Sequence, residues 1–139
     1  MDIVSDGRLA AAVSEAGGFG IIGGGYGDEA WLVQQMDAAG RARVGVGFIT
    51  WSMAQKPRLL DMVLERRPPA IMLSFGNVRP HAQKIKHAGA LLICQVQTLE
   101  QAKDAMELPE ASGDAIAREF ERYFRRQGRS GGSLGPGGS

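Results

Sequence analysis

The chain has 139 residues, 44% of them hydrophobic and 22% charged, which suits one globular domain with a modest core. A formal net charge of +1 leaves no global field to draw nucleic acid or an anionic membrane, and no apolar run approaches the ~20 residues of a spanning helix. The lone Cys94 excludes an internal disulfide, and no signal-peptide pattern follows Met1, so the expected compartment is the reducing cytoplasm.

Taken in chain order, Ser5 or Asp6 can cap a helix over Arg8 to Ala16, with Gly17 as its C′ residue. Leu9, Ala12, Val13 and Ala16 form one apolar stripe along it, the expected buried face. Phe19 to Ile22 reads as a short buried strand. A helix from Asp28 to Ala39 follows, with Trp31, Leu32, Gln35 and Met36 spaced along it and Gly40 ending it. Val44 to Ile49 is the next strand. Pro57 suits the first turn of a helix through Leu64, which Pro68-Pro69 stops. Ala70 to Ser74 is a third strand, and Pro80 opens a helix to Ala88 that Gly89 terminates. Ala90 to Val96 is the most apolar strand of all. Thr98 then caps a helix through Ala105.

Four near-continuously apolar strands, each followed by a helix at a period of roughly 20 to 26 residues, point to a parallel sheet covered by helices. The short uniform period favours a barrel over a doubly wound sheet. The expected architecture is therefore α/β, a partial (β/α)₈ TIM barrel of about four parallel βα units over residues 1–106. A linker at 107–113 leads to an amphipathic helix at 114–128, with Ile116, Phe120, Tyr123 and Phe124 on one face. That helix is expected to cover the open sheet. A Gly/Ser tail at 129–139 completes the chain and is expected to be flexible.

Gly18-Phe19-Gly20-Ile21-Ile22-Gly23 matches G-x-G-x-x-G, but the dinucleotide mechanism needs those glycines between a strand and a helix. Here the pattern starts at a helix end and runs through the strand itself. Gly23-Gly24-Gly25 is better placed, after a strand and before a helix, where bare backbone can approach a ligand. Three strand ends carry small or polar residues: Gly45 to Ser52, Ser74-Phe75-Gly76-Asn77, and Gln95-Val96-Gln97-Thr98. In a barrel that end carries the active site. Cys94, inside an apolar strand, reads as a buried thiol. His81 and His87 have no Cys, Asp or Glu at ligand spacing, so no metal site is expected.

These segments resemble the nitronate monooxygenase (2-nitropropane dioxygenase-like) family, FMN-dependent (β/α)₈-barrel enzymes. The similarity runs from about Val4 to Ala105 and is strongest in 4–25, 44–52, 70–76 and 88–105. The resemblance implies oxidation of an alkyl nitronate by O₂ on a flavin, giving a carbonyl compound and nitrite. Carried over by position, Gly47, Phe48 and Thr50 would lie beside the flavin ring, Ser74 and Gly76 would line the same face, and Gln95 would reach the flavin. No catalytic residue carries over, since neither His81 nor His87 matches the family's catalytic position. The family's first strand and its last strands, with their phosphate-binding loops, have no counterpart here. The readings that follow are a truncated or fused fragment of the flavin enzyme with little activity alone, or a non-catalytic half-barrel that self-associates through open sheet edges or serves as a protein-interaction module, with Phe120, Tyr123 and Phe124 as a docking face.

Overall fold

The computed structural model describes residues 5–108 and Arg125. Ten elements alternate along it: α1 (Gly7–Glu15), β1 (Ile21–Gly23), α2 (Glu29–Ala39), β2 (Gly45–Ile49), α3 (Thr50–Met53), α4 (Pro57–Glu65), β3 (Ala70–Ser74), α5 (Arg79–His87), β4 (Leu91–Cys94) and α6 (Leu99–Met106). The strands form one sheet in the order β1-β2-β3-β4, every neighbouring pair parallel. Successive strands begin 24, 25 and 21 residues apart. This is the expected arc of a (β/α)₈ barrel. Of the expected 107–113 linker only Glu107 and Leu108 are described. The helix expected at 114–128, apart from the helical Arg125, and the tail at 129–139 lie outside the described residues.

Local chemistry starts and stops the helices where the sequence says it should. Asp6 accepts from the Leu9 amide at 2.8 Å, Asp28 from Trp31 at 2.8 Å and Thr98 from Gln101 at 3.1 Å, each satisfying an orphan first-turn donor. Gln101 reaches back to the Gln97 amide at 2.8 Å, much as in a capping box. Pro57 occupies the first turn of α4 and Pro80 that of α5. Gly17, at φ 94°, turns the chain out of α1 in a left-handed conformation that a Cβ disfavours.

Strand pairing sorts the sheet residues onto two faces. Val46 pairs with Ile71, and Phe48 with Leu73; these side chains, with Ile22, are buried against Leu32, Leu59, Val63 and Ile85 of the covering helices. On the opposite face Ile21, Ile49, Met72, Leu91 and Ile93 are only half-buried, while Ala70 and Ser74 beside them are buried. The helix-facing side is thus the better covered of the two, except at β4, where Leu92 and Cys94 are half-buried as well.

Three expectations are corrected. The Leu9, Ala12, Val13 and Ala16 stripe faces outward, with Leu9 48% and Val13 40% exposed. α1 docks instead through its small residues: Gly7 and Ala10 are its buried positions, and Gly20 lies directly against the Ala10 backbone. Close approach of backbones has outweighed the apolar stripe. The most apolar strand is also not the most buried. β4 ends the described sheet, α6 contributes no buried residue, and all four of its residues are half-buried. Lastly, Thr50–Met53 forms a short helix where the sequence reads as a strand-end rim.

The α1 docking yields a test. A Cβ at Gly20 would come within 1.8 Å of the Ala10 carbonyl oxygen, which is backbone and cannot rotate away. Gly20→Ala should cost about 3 kcal/mol, at the upper end of ordinary overpacking, read as a lower urea midpoint with an unchanged slope.

Candidate functional site

The C-terminal ends of the four strands come together in one rim, and the backbone ladder extends into it. The Gly24 amide donates to the Gly47 carbonyl at 2.6 Å, and the Gln95 amide to the Leu73 carbonyl at 2.9 Å. These bonds fix the loop after β1 against β2, and the residue after β4 against β3. Between them opens a cleft of about 230 Å³, lined by the backbone of Gly23, Gly24, Gly25 and Gly47 and by Tyr26, Phe48, Ile49, Ser74, Phe75 and Gln95. That is smaller than the roughly 300 to 1,000 Å³ of typical small-molecule sites.

The glycines here are a matter of space. A Cβ at Gly24 would sit 2.5 Å from the Gly47 carbonyl oxygen and 3.1 Å from the Phe48 ring. The wall is therefore bare backbone, and a flat ligand could lie against it. Polar character comes from the Ser74 hydroxyl and the exposed Gln95 amide. None of the lining residues carries a charge.

Four of the six sequence-predicted positions, Gly47, Phe48, Ser74 and Gln95, share this wall. The other two, Thr50 and Gly76, pack on each other beside it: a Cβ at Gly76 would lie 2.9 Å from the Thr50 Cβ. Thr50 is 1% exposed, and its hydroxyl has no hydrogen-bond partner among the described residues. The Trp51 amide donates to the Phe75 carbonyl at 3.3 Å, tying the start of α3 to the loop after β3.

Sequence reasoning missed the aromatic edge of the cleft. Tyr26 and Phe75, from the loops after β1 and β3, line the cleft and are 60% and 48% exposed, and Trp51 of α3, 52% exposed, stands beside Tyr26. Tyr26 and Trp51 meet ring to ring, centroids 6.0 Å apart. Phe75 holds φ at 57°, an unfavourable setting for a bulky residue, and one associated with functional loops. It also missed the clamp on the triglycine loop. Lys56 Nζ donates to the Tyr26 and Gly27 carbonyls at 2.9 and 2.8 Å, and the Ser52 hydroxyl donates to Tyr26 at 3.0 Å. These partners are 26 to 30 residues apart in sequence, so no local spacing announces them.

The G-x-G-x-x-G run falls where the sequence reading puts it. Gly18 and Gly20 precede β1 and Gly23 ends it, so the glycines form no strand-to-helix turn. The titratable groups with perturbed acidity lie outside the cleft wall. Burial raises the Cys94 thiol above its ordinary value. Burial, with a smaller contribution from the Lys84 charge, lowers His81. Among the described residues, no group of three or more His, Cys, Asp or Glu side chains could hold a metal ion. No helix among them is long and apolar enough to cross a membrane.

No protein-family model matches the chain, and no curated protein does. Among solved structures, the chain is similar to FabK from Thermotoga maritima, with a TM-score of 0.69 and 27% sequence identity over 78% of this chain. A point mutant of FabK from the same organism gives 0.70 and 27%, again over 78%. The chain spans 36% and 37% of the length of those two structures. The likeness supports a shared barrel superfamily.

Two tests follow from this geometry. Lys56→Met should leave the melting temperature nearly unchanged while accelerating amide exchange at Gly27, whose N–H bonds to the Gly24 carbonyl, by roughly tenfold. For Cys94, a raised folded-state pKa means that the unfolded chain loses its thiol proton first. Its stabilising contribution is therefore complete below the ordinary thiol pKa and is lost as pH climbs above it. Urea titrations at rising alkaline pH should show that loss in the native sequence and a flatter profile in Cys94→Ala.

Proposed function

We propose that this chain is a four-strand arc of an FMN-dependent barrel oxidoreductase, and more narrowly of a nitronate monooxygenase-like enzyme acting on alkyl nitronates and O₂. The observation that carries the reading is the uncharged cleft at the C-terminal rim, walled by bare glycine backbone and shared by four of the six positions that the family resemblance selects. The similarity to FabK supports the same kind of barrel.

The residues present fit the ring of a flavin. Gly24 and Gly47 leave space that a Cβ would fill, Phe48 and Phe75 offer apolar surface, and Ser74 and Gln95 can hydrogen-bond a heterocycle's edge. Thr50 and Gly76 support this wall from the side. A bound flavin would supply the redox chemistry that converts an alkyl nitronate and O₂ to a carbonyl compound and nitrite. The chain's own contribution is to orient the ring, keep one side dry and present the Gln95 amide. The residues do not fit the phosphate equally well, because no lining side chain is cationic. Barrel phosphate sites are typically built from the loops after strands 7 and 8, which four strands do not include.

Titration of the purified chain with FMN and with riboflavin, followed by flavin fluorescence, tests this directly. Both should bind weakly and within about threefold of each other, since the phosphate finds no partner. Gln95→Leu should weaken both by roughly three- to tenfold, the usual worth of one hydrogen bond. Tight, stoichiometric FMN binding that excludes riboflavin would overturn the uncharged-cleft argument, and failure of both to bind would overturn the flavin reading. Nitrite release from an alkyl nitronate by the FMN-loaded chain is the measure of the narrower assignment, and its expected rate is low.

A further inference from the structure

The sheet is unfinished in three respects. β1 and β4 are the end strands, each paired on one side only among the described residues. Ile21, Ile49, Met72, Leu91 and Ile93 leave an apolar face half-buried, although parallel sheets are ordinarily sealed on both faces. Apart from the aromatic rim, every exposed large hydrophobic residue described lies near one of the two end strands. Leu9 and Val13 are on α1, which packs on α2 and β1; Val96, Leu99 and Met106 follow β4, the last two 73% and 71% exposed. An outward apolar stripe on α1, an open strand edge and a half-exposed sheet face together ask for a protein surface, not water.

We propose that two copies of this chain close into one eight-stranded parallel barrel. The number of strands selects the partner. Four βα units in sequential order are half of an eight-stranded cylinder, whose interior is just wide enough to be filled by side chains. A twofold axis along the cylinder preserves strand direction, so β4 of each copy lies parallel to β1 of the other and both junctions are identical. Closure removes all four edges, turns the half-buried faces into a shared interior, and brings the α1 stripe of one copy towards the β4 end of its partner. The twofold also gathers both clefts at one rim, where each arc supplies wall that the other lacks.

Sedimentation velocity on the full 139-residue chain is the test, read together with two variants. The expected result is a single species of twice the chain mass at micromolar concentrations. Ile93→Lys, which places a charge on the half-buried face, should shift it to monomer. Leu9→Lys alters a residue already exposed in the single copy, so it tests the junction with little risk to folding, and it should weaken dimerisation at least tenfold. Arg58→Glu, on an exposed position of α4, should leave the dimer intact. A monomer at all concentrations would overturn the proposal and favour residues 109–139 as the cover. A polydisperse series would also overturn it, because the edges would then pair without closing. A dimer that survives both lysine substitutions would place the interface elsewhere and overturn it too.

Discussion

A parallel sheet works only if it is covered on both faces, because its strands are apolar throughout and its edges present unpaired backbone groups. Everything distinctive here follows from meeting that requirement on one side only. The helix-facing side holds Val46, Phe48, Ile71 and Leu73 at 3% exposure or less. Across the sheet, one residue along each strand, Ile21, Ile49, Met72, Leu91 and Ile93 are apolar and only half-buried, beside the buried Ala70 and Ser74. The same alternation places glycine at 23, 45 and 47 on the less covered side, where the Phe19 ring approaches Gly45 at one end and the cleft opens at the other.

That asymmetry also sets the chemistry available at the rim. Backbone is rigid because the β1–β2 and β3–β4 ladders run past the strand ends to Gly24 and Gln95. The side chains that project there are aliphatic, aromatic, amide or hydroxyl, never charged. Such a surface can hold and orient a flat, polarisable ring by contact and directed hydrogen bonds. It has no general acid or base of its own and no cation for a phosphate. This is the surface on which the flavin proposal rests: contact and hydrogen bonding come from the rim, and redox reactivity would come from the bound ring. Surface ion pairs such as Arg66–Asp37 and Lys84–Asp61, 2.5 Å each, link neighbouring helices outside the cleft wall and add little at such exposure.

Much of the fold was legible in the sequence because it is written in local signals. Caps at Asp6, Asp28 and Thr98, prolines at 57 and 80 and glycines at 17, 40 and 89 punctuate the chain within a residue or two of the observed ends. Strand identity survived too, with β1 shifted from 19–22 to Ile21–Gly23 and β4 trimmed to Leu91–Cys94. Burial was less legible, because periodicity reports which residues could be covered and not what stands next to them. The α1 stripe and β4 show this: both are apolar in sequence and both look outward at an end of the arc. At the site, strand-end residues were readable from their place in the βα period. Tyr26, its ring contact with Trp51 and the Lys56 clamp were not, since they depend on how segments after different strands meet.

The exposed apolar stripe of α1 is the sharpest such disagreement, and it separates two kinds of explanation. If α1 were merely a poor helix, its small-residue face would pack loosely. Instead Gly7 would place a Cβ 1.9 Å from the Gln35 carbonyl oxygen and Gly20 one 1.8 Å from that of Ala10, so the inner face is already as close as backbones allow. Rotating the helix to bury Leu9 and Val13 would force those backbones apart and sacrifice the Gly7 amide bond to Gln35 at 3.1 Å. The orientation is therefore fixed from within, and the stripe is a second, independent apolar face on the same helix. A short helix with two such faces is suited to lie between two layers of protein, and this is the face on which the proposed closure of two copies draws.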